Sequence, residues 1–257
     1  VPPSSGSFQD ACHPRIPTQA IFAGLATMDP MPESLQLQSL PLFPLGTVLY
    51  PDGVLPLRIF EVRYLDMIGK CHKSGAPFGV VALTEGSEVR QLIATADAAS
   101  APSGDAFAHE AFNDVGTLAT ITSLSRPQAG LIMVQCLGTQ RIRITRREKL
   151  KYGLWVGDVD LLPPDAAVEI PTDLQVTADA LGQIIQSLQA KGMQQEQLPF
   201  GKPYRLDDCG WVANRWCELL QLPLELKQRL MALENPFVRL ELVHDILVRA
   251  GIPGLAP

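Results

Sequence analysis

The sequence predicts an α+β protein: a β-rich barrel or sandwich with one inserted helix, followed by a bundle of short helices. Three observations carry that expectation. From residue 78 to residue 162 short apolar runs are separated by Gly and Pro, as strands and turns are. Just ahead of them, residues 58–71 switch to helical spacing. Beyond Pro163-Pro164-Asp165 the apolar patterns all keep the helical period.

Residues 1–35 are rich in Pro, Ser, Gly and Ala without a sustained period, and read as a flexible leader. Met28 and Met31 stand at its end, and a translation start at either would make residues 1–27 dispensable. Order is expected to begin near Leu40. Residues 40–51 carry too much proline for a helix and suit short extended pieces. In 58–71 the apolar Ile59, Phe60, Val62, Leu65, Met67 and Ile68 are interleaved with Glu61, Arg63, Asp66 and Lys70, which predicts an amphipathic helix ending by Gly69–Gly75. Strands are predicted over 78–83, 115–124, 130–137, 140–147 and 154–162, and a long exposed loop over 96–109.

The double proline at 163–164 marks a boundary between a β-rich domain, 36–164, and a helical domain, 165–257. In the latter, Thr172 is the expected cap of a helix with Leu174, Ala178, Leu181, Ile185 and Leu188 on one stripe and Gly192 as its stop. Asp207 or Asp208 opens a second helix, Pro223 a third and Asn235-Pro236 a fourth, with Gly251 beyond.

Composition narrows the function classes. The 257 residues are 46% apolar and 19% charged, and 21 Lys and Arg face 27 Asp and Glu for a net charge of −6. An acidic surface repels phosphate backbones, so nucleic acid is a disfavoured partner. No apolar run reaches the roughly 20 residues of a membrane span, and cytoplasmic is the default location. Cys12, Cys71, Cys136, Cys209 and Cys217 are scattered and odd in number, which fits reduced, buried thiols.

Catalytic signatures are absent from the sequence. Gly69-Lys70 and Gly201-Lys202 lack the rest of a phosphate-binding loop, and no G-x-S-x-G turn occurs. His109-Glu110 is followed at 113 by Asn, so H-E-x-x-H fails; His13, His72, His109 and His244 stand in unrelated contexts. No metal or cofactor is expected. The concentrated basic feature is Arg141, Arg143, Arg146 and Arg147, with Lys149 and Lys151 after it. Alternation places Arg141 and Arg143 opposite Ile142 and Ile144. The strip reads either as a solvated strand face that discourages edge pairing or as a docking strip for an acidic partner or RNA.

Three stretches resemble the N-terminal substrate-recognition domain family of Lon proteases. The first opens Leu40-Pro41-Leu42-Phe43-Pro44-Leu45 and closes Leu55-Pro56-Leu57-Arg58-Ile59-Phe60-Glu61-Val62-Arg63-Tyr64. The second joins Val115-Gly116-Thr117-Leu118-Ala119-Thr120-Ile121 to Gly138-Thr139-Gln140-Arg141-Ile142-Arg143-Ile144, and the third is 222–242. The resemblance implies a PUA-like β pseudo-barrel followed by a helical bundle, in a non-catalytic protein without the ATPase and peptidase modules. It also implies binding of unfolded or tagged polypeptides, with an adaptor role beside a protease or chaperone in protein quality control. Binding is expected in a shallow groove with Leu45, Tyr50, Leu57 and Tyr64 as apolar contacts and Arg58 and Glu61 as polar ones. For Leu45 and Tyr64 core packing is equally open, and Glu61 and Arg63 can simply pair. For Phe43 and Phe60 burial is the expectation. An RNA-binding module using the basic strip is the alternative function, and a small hydrolase with a dyad assembled in space is a third.

Overall fold

In the computed structural model the described residues are 35–85, 110–192 and 200–252. The readings of 1–34, of the 96–109 loop, of Cys12 and of His13 and His109 lie outside them. The described residues belong to one compact unit, Ser34–Pro257.

Six strands form: β1 Gln36–Leu45, β2 Val54–Ile59, β3 Phe78–Glu85, β4 Ala111–Gln128, β5 Leu131–Lys149 and β6 Trp155–Leu161. Helix α1, Val62–Ser74, lies between β2 and β3. The sheet order is β2-β5-β4-β3-β1-β6, and β6 pairs back onto β5. Strands β5, β4, β3, β1 and β6 therefore close into a ring, which removes most of the exposed strand edge. The β1–β3 pair is parallel and the others are antiparallel.

The long strand β5 organises the ring. Its first part takes β2 as a neighbour, from Ile59↔Ile132 to Val54↔Leu137, and its last part takes β6, from Ile142↔Leu161 to Lys149↔Trp155. The sequence reads as two strands broken after Leu137, but β5 runs through. Gly138 there exchanges hydrogen bonds with the β1–β2 turn, donating to Gly53 O and accepting from Asp52 N at 2.8 Å each. A Cβ at 138 would sit 2.2 Å from Tyr50 O, so the glycine serves close approach instead of chain breaking.

The predicted helix at 58–71 is displaced. Ile59 is 2% exposed and ends β2, while the helix begins at Val62 with Glu61 as an uncapped N-cap residue. Strand pairing to Ile132 holds Arg58 and Ile59 extended against their helical spacing. The expected burial of Phe60 is corrected by the same shift: it falls in the β2–α1 connection and is 51% exposed. Phe43 is buried as expected and stacks on Tyr64 with ring centroids 4.0 Å apart.

Beyond β6 come α2 Gln175–Ala190, α3 Cys209–Leu219, α4 Leu224–Ala232 and α5 Pro236–Arg249. Asp208 caps α3, its Oδ1 accepting from Gly210 N and Trp211 N, and Asn235 caps α5 by accepting from Phe237 N and Val238 N. Thr172 is not a cap; α2 starts at Gln175 after Leu174, without a side-chain cap bond. Helix α3 is buried from Cys209 to Cys217 and is the centre of the helical part.

Three apolar clusters result. Leu40, Leu42, Leu118, Ile142, Ile144 and Val159 fill the inside of the ring. Helix α1 seals a second cluster with Phe43, Phe78, Ile132, Val134 and Cys136. The helices form the third, which reaches the β1–β2 connection through Val48 and Tyr50 and β3 through Ala82. No helix among the described residues is long and apolar enough to cross a membrane.

Candidate functional site

Of the six residues proposed from sequence as polypeptide contacts, three are in the core. Leu45 is 4% exposed, Tyr50 0% and Tyr64 2%. Tyr50 donates its hydroxyl to Lys227 O at 2.7 Å, and Tyr64 lies under Phe43 and beside the Arg63 guanidinium. Their aromatic and aliphatic surface is already covered by this chain, which leaves none for a ligand. Leu57 is half-buried against the α1 cluster, and Glu61 is paired with Arg63 at 3.0 Å. Arg58 alone of the six is fully on the surface, opposite Met133 in the β2–β5 register.

Arg63 is buried and carries more than that pair. It also holds Glu110, Nη2 to Oε1 at 2.8 Å, and donates to Gly153 O. Burial pushes the Glu110 carboxyl up, but the Arg63 and Trp155 donors and Lys149 outweigh it and hold it below the ordinary value. This pair locks the start of α1 to the start of β4.

What the structure brings to the surface is a different apolar set around the same helix start. Phe60 is 51% exposed and Val62 81%, while Met133, 40% exposed, lies on the sheet face away from α1, since Ile132 and Val134 on either side of it pack in the α1 cluster. Val62, Leu65 and Asp66 of α1 face Arg126, Gln128 and the hairpin tip Ala129–Gly130, with Leu131 and Ile132 behind, across an open groove of about 610 Å³. The hairpin can stand out here because β4 continues past its last partner in β3, at Phe78↔Ala119, while staying paired with β5 to Gln128↔Leu131. Gly130 at φ 75° makes that tip turn. In the sequence Val62 and Leu65 read as apolar positions of one amphipathic helix; Leu65 is half-buried against the α1 cluster, while Val62, in the first turn, faces outward.

A second cleft, of about 260 Å³, lies between the strands and α3. Its charges are joined to one another: Arg205 to Asp52, and Asp165 to both Arg141 and Arg239. It is a packing seam with internal ion pairs. Arg215 donates to Pro51 O and Asp52 O, which fastens the β1–β2 turn to α3, and to Glu218 Oε1 one turn along the same helix.

The basic strip does not present a row of free cations. Arg141 is 4% exposed, contrary to a solvated face, because the helices cover it and it donates to Met231 O, Leu233 O and Asp165. Arg143 lies 3.7 Å from Glu234, Arg146 3.4 Å from Glu148, and Arg147 3.6 Å from Asp114. With a carboxylate beside each, the strip lacks the field that an RNA backbone needs, and the RNA reading is unsupported. Among the described residues no group of His, Cys, Asp and Glu is arranged to hold a metal. Cys71, Cys136, Cys209 and Cys217 are free and buried, and burial pushes the Cys136 thiol up to about 12. His72 is exposed, and His244 meets Thr177 Oγ1 at 2.8 Å inside the helical part.

A ring of strands sealed by one helix and backed by a helical bundle, with an open apolar groove and its buried charges internally paired, defines a binding domain. Residues 39–249 match the family model described as the ATP-dependent protease La (LON) substrate-binding domain, and the chain belongs to that family. Among solved structures it is similar to a Lon N-terminal domain protein from Xanthomonas campestris, at 28% identity and a TM-score of 0.60, covering 80% of this chain and 97% of that one. The fold is also that of the N-terminal domain of Mycobacterium avium complex Lon protease, at 16% identity and a TM-score of 0.50, covering 81% and 97%. A comparison with curated proteins found no match.

Proposed function

We propose that this protein recognises exposed apolar segments of unfolded or tagged polypeptides in the groove between the start of α1 and the β4–β5 hairpin, and that it does so without catalysis. The observation that carries the reading is the groove itself, with exposed Val62 on its rim and Leu65, Leu131 and Ile132 along it, in a chain of the substrate-binding family. Large apolar side chains left on a surface beside a concavity are what an extended peptide can cover. The closed ring of strands supports reading the β-rich part as a PUA-like pseudo-barrel. A place in protein quality control follows, in the cytoplasm, as an adaptor that hands clients to a protease or chaperone.

Val62→Asp and Leu131→Asp test the reading by fluorescence anisotropy with an unfolded polypeptide. Val62 is 81% exposed, so its replacement leaves the core alone. Each variant is expected to weaken binding about 5- to 30-fold, the effect of removing a contact of about 1–2 kcal/mol. Unchanged binding in both, with native circular dichroism, would remove the groove from the function.

A further inference from the structure

We propose that the groove selects polypeptide segments in which a large apolar side chain is flanked by a carboxylate side chain. This rests on the reading of the groove as the polypeptide site and adds the charge of its ligand.

The argument is one of charge left over. Two acids stand near the groove, and both have partners within this chain. Asp66 is 2.7 Å from Lys70 one turn on, and Glu61 is 3.0 Å from Arg63. The cation that lines the groove, Arg126, has no carboxylate partner among the described residues. Arg58 and Arg249 also lack one among the described residues, but of the three only Arg126 lines the groove. The buried arginines all sit in ion pairs, as do Arg141, Arg143, Arg146 and Arg147 of the basic run. Beside the apolar wall of Val62, Leu65, Leu131 and Ile132 there is thus one uncompensated positive charge.

Position makes that charge usable. Arg126 is exposed on the outer part of β4, where the strand has passed β3, and its Nη2 lies 3.9 Å from where a Cβ on Gly69 would stand. The guanidinium therefore rests over α1, on the groove side of the hairpin, with its planar fork open to a carboxylate. An apolar side chain seated between Val62 and Leu131 brings the neighbouring residue of an extended segment to this position. A basic residue there would meet the like charge of Arg126. The groove is open along its length, which suits an internal acidic residue in a passing segment.

The test uses short fluorescent peptides of Phe, Leu, Ser and Gly that carry Glu, Gln or Lys beside the Phe. The full chain is expected to bind the Glu peptide about two- to fivefold tighter than the Gln peptide, as an exposed ion pair allows, with the Lys peptide weakest. The preference should fade as salt is raised. Arg126→Glu should reverse the order. Arg249→Glu, the same charge change at the end of α5, should leave it intact. Equal binding of all three peptides, still weakened by Val62→Asp, would overturn the acidic preference and leave polypeptide recognition standing; Arg126 would then be an edge guard. Binding of none of the three would overturn polypeptide recognition at the groove, and the preference with it.

Discussion

At the scale of single residues, the most consequential buried acid is Glu218. Burial raises its carboxyl to about 8, against the pull of Arg215. One oxygen accepts from Arg215 Nη2 at 2.9 Å and the other, like Arg215 Nε, is buried without a partner. The folded value lies above the unfolded one of about 4.3, so folding takes up a proton between the two. The stability this group contributes is therefore complete below about pH 4 and is lost as pH rises through about 8. Glu218→Gln keeps the acceptor for Arg215 and removes the titration. Thermal melts across that window should show a flatter decline for the variant than for the parent chain; parallel declines would contradict the raised value.

Residue patterns also explain why site residues were hard to read. Leu45, Tyr50 and Tyr64 belong to the stretch that carries the family resemblance, but that stretch encodes packing: Phe43 on Tyr64, and Tyr50 reaching the backbone of α4. Phe60 is exposed although its helical spacing from residue 58 points to the core, because strand pairing extends through Ile59. Nothing in local spacing tells a buried aromatic from an exposed one when the element boundary itself is displaced.

At the scale of elements, helix starts were the most legible features. Asp208 and Asn235-Pro236 act as caps because short oxygen-bearing side chains accept the amides that a first turn leaves free. Asp208→Ala should cost about 1 kcal/mol in urea unfolding, with the midpoint shifted and the slope preserved. No shift would mean that the burial of α3 alone fixes its start. The same logic misplaced the cap of α2, since Thr172 lies before a turn in which Leu174 N bonds to Pro171 O. The strands were located but not their continuity. Gly138 reads locally as a break and is required by the turn that packs on it, a contact far away in the chain.

At the scale of the whole molecule, the strand ring and the helices are held together by buried guanidinium groups. Asp165, in the segment predicted as a boundary, accepts from both Arg141 and Arg239, and the same arginines cap the carbonyl ends around Met231 and Leu233. Asp165→Asn would leave two buried cations facing one neutral amide. That should destabilise the chain by about 3 kcal/mol, the cost of breaking a buried ion pair, read as a lower urea midpoint. A midpoint shifted by less than about 0.5 kcal/mol equivalent, the scale of a surface substitution, would show that apolar packing carries the seam alone. Closure of the ring and this seam were not legible, because both depend on pairings between residues more than 20 positions apart, such as Arg141 with Asp165 and β1 with β6. The order of the β-rich and helical parts was legible from the change of apolar period alone.

The central claim concerns where a polypeptide is held, and hydrogen–deuterium exchange tests it most directly. With saturating unfolded polypeptide, amides of Val62–Asp66 and Arg126–Ile132 should slow, while those around Asp52, Arg205 and Asn214 and along residues 141–147 keep their rates. Protection centred on the second cleft or on the basic strip, with the α1–hairpin groove unchanged, would contradict it.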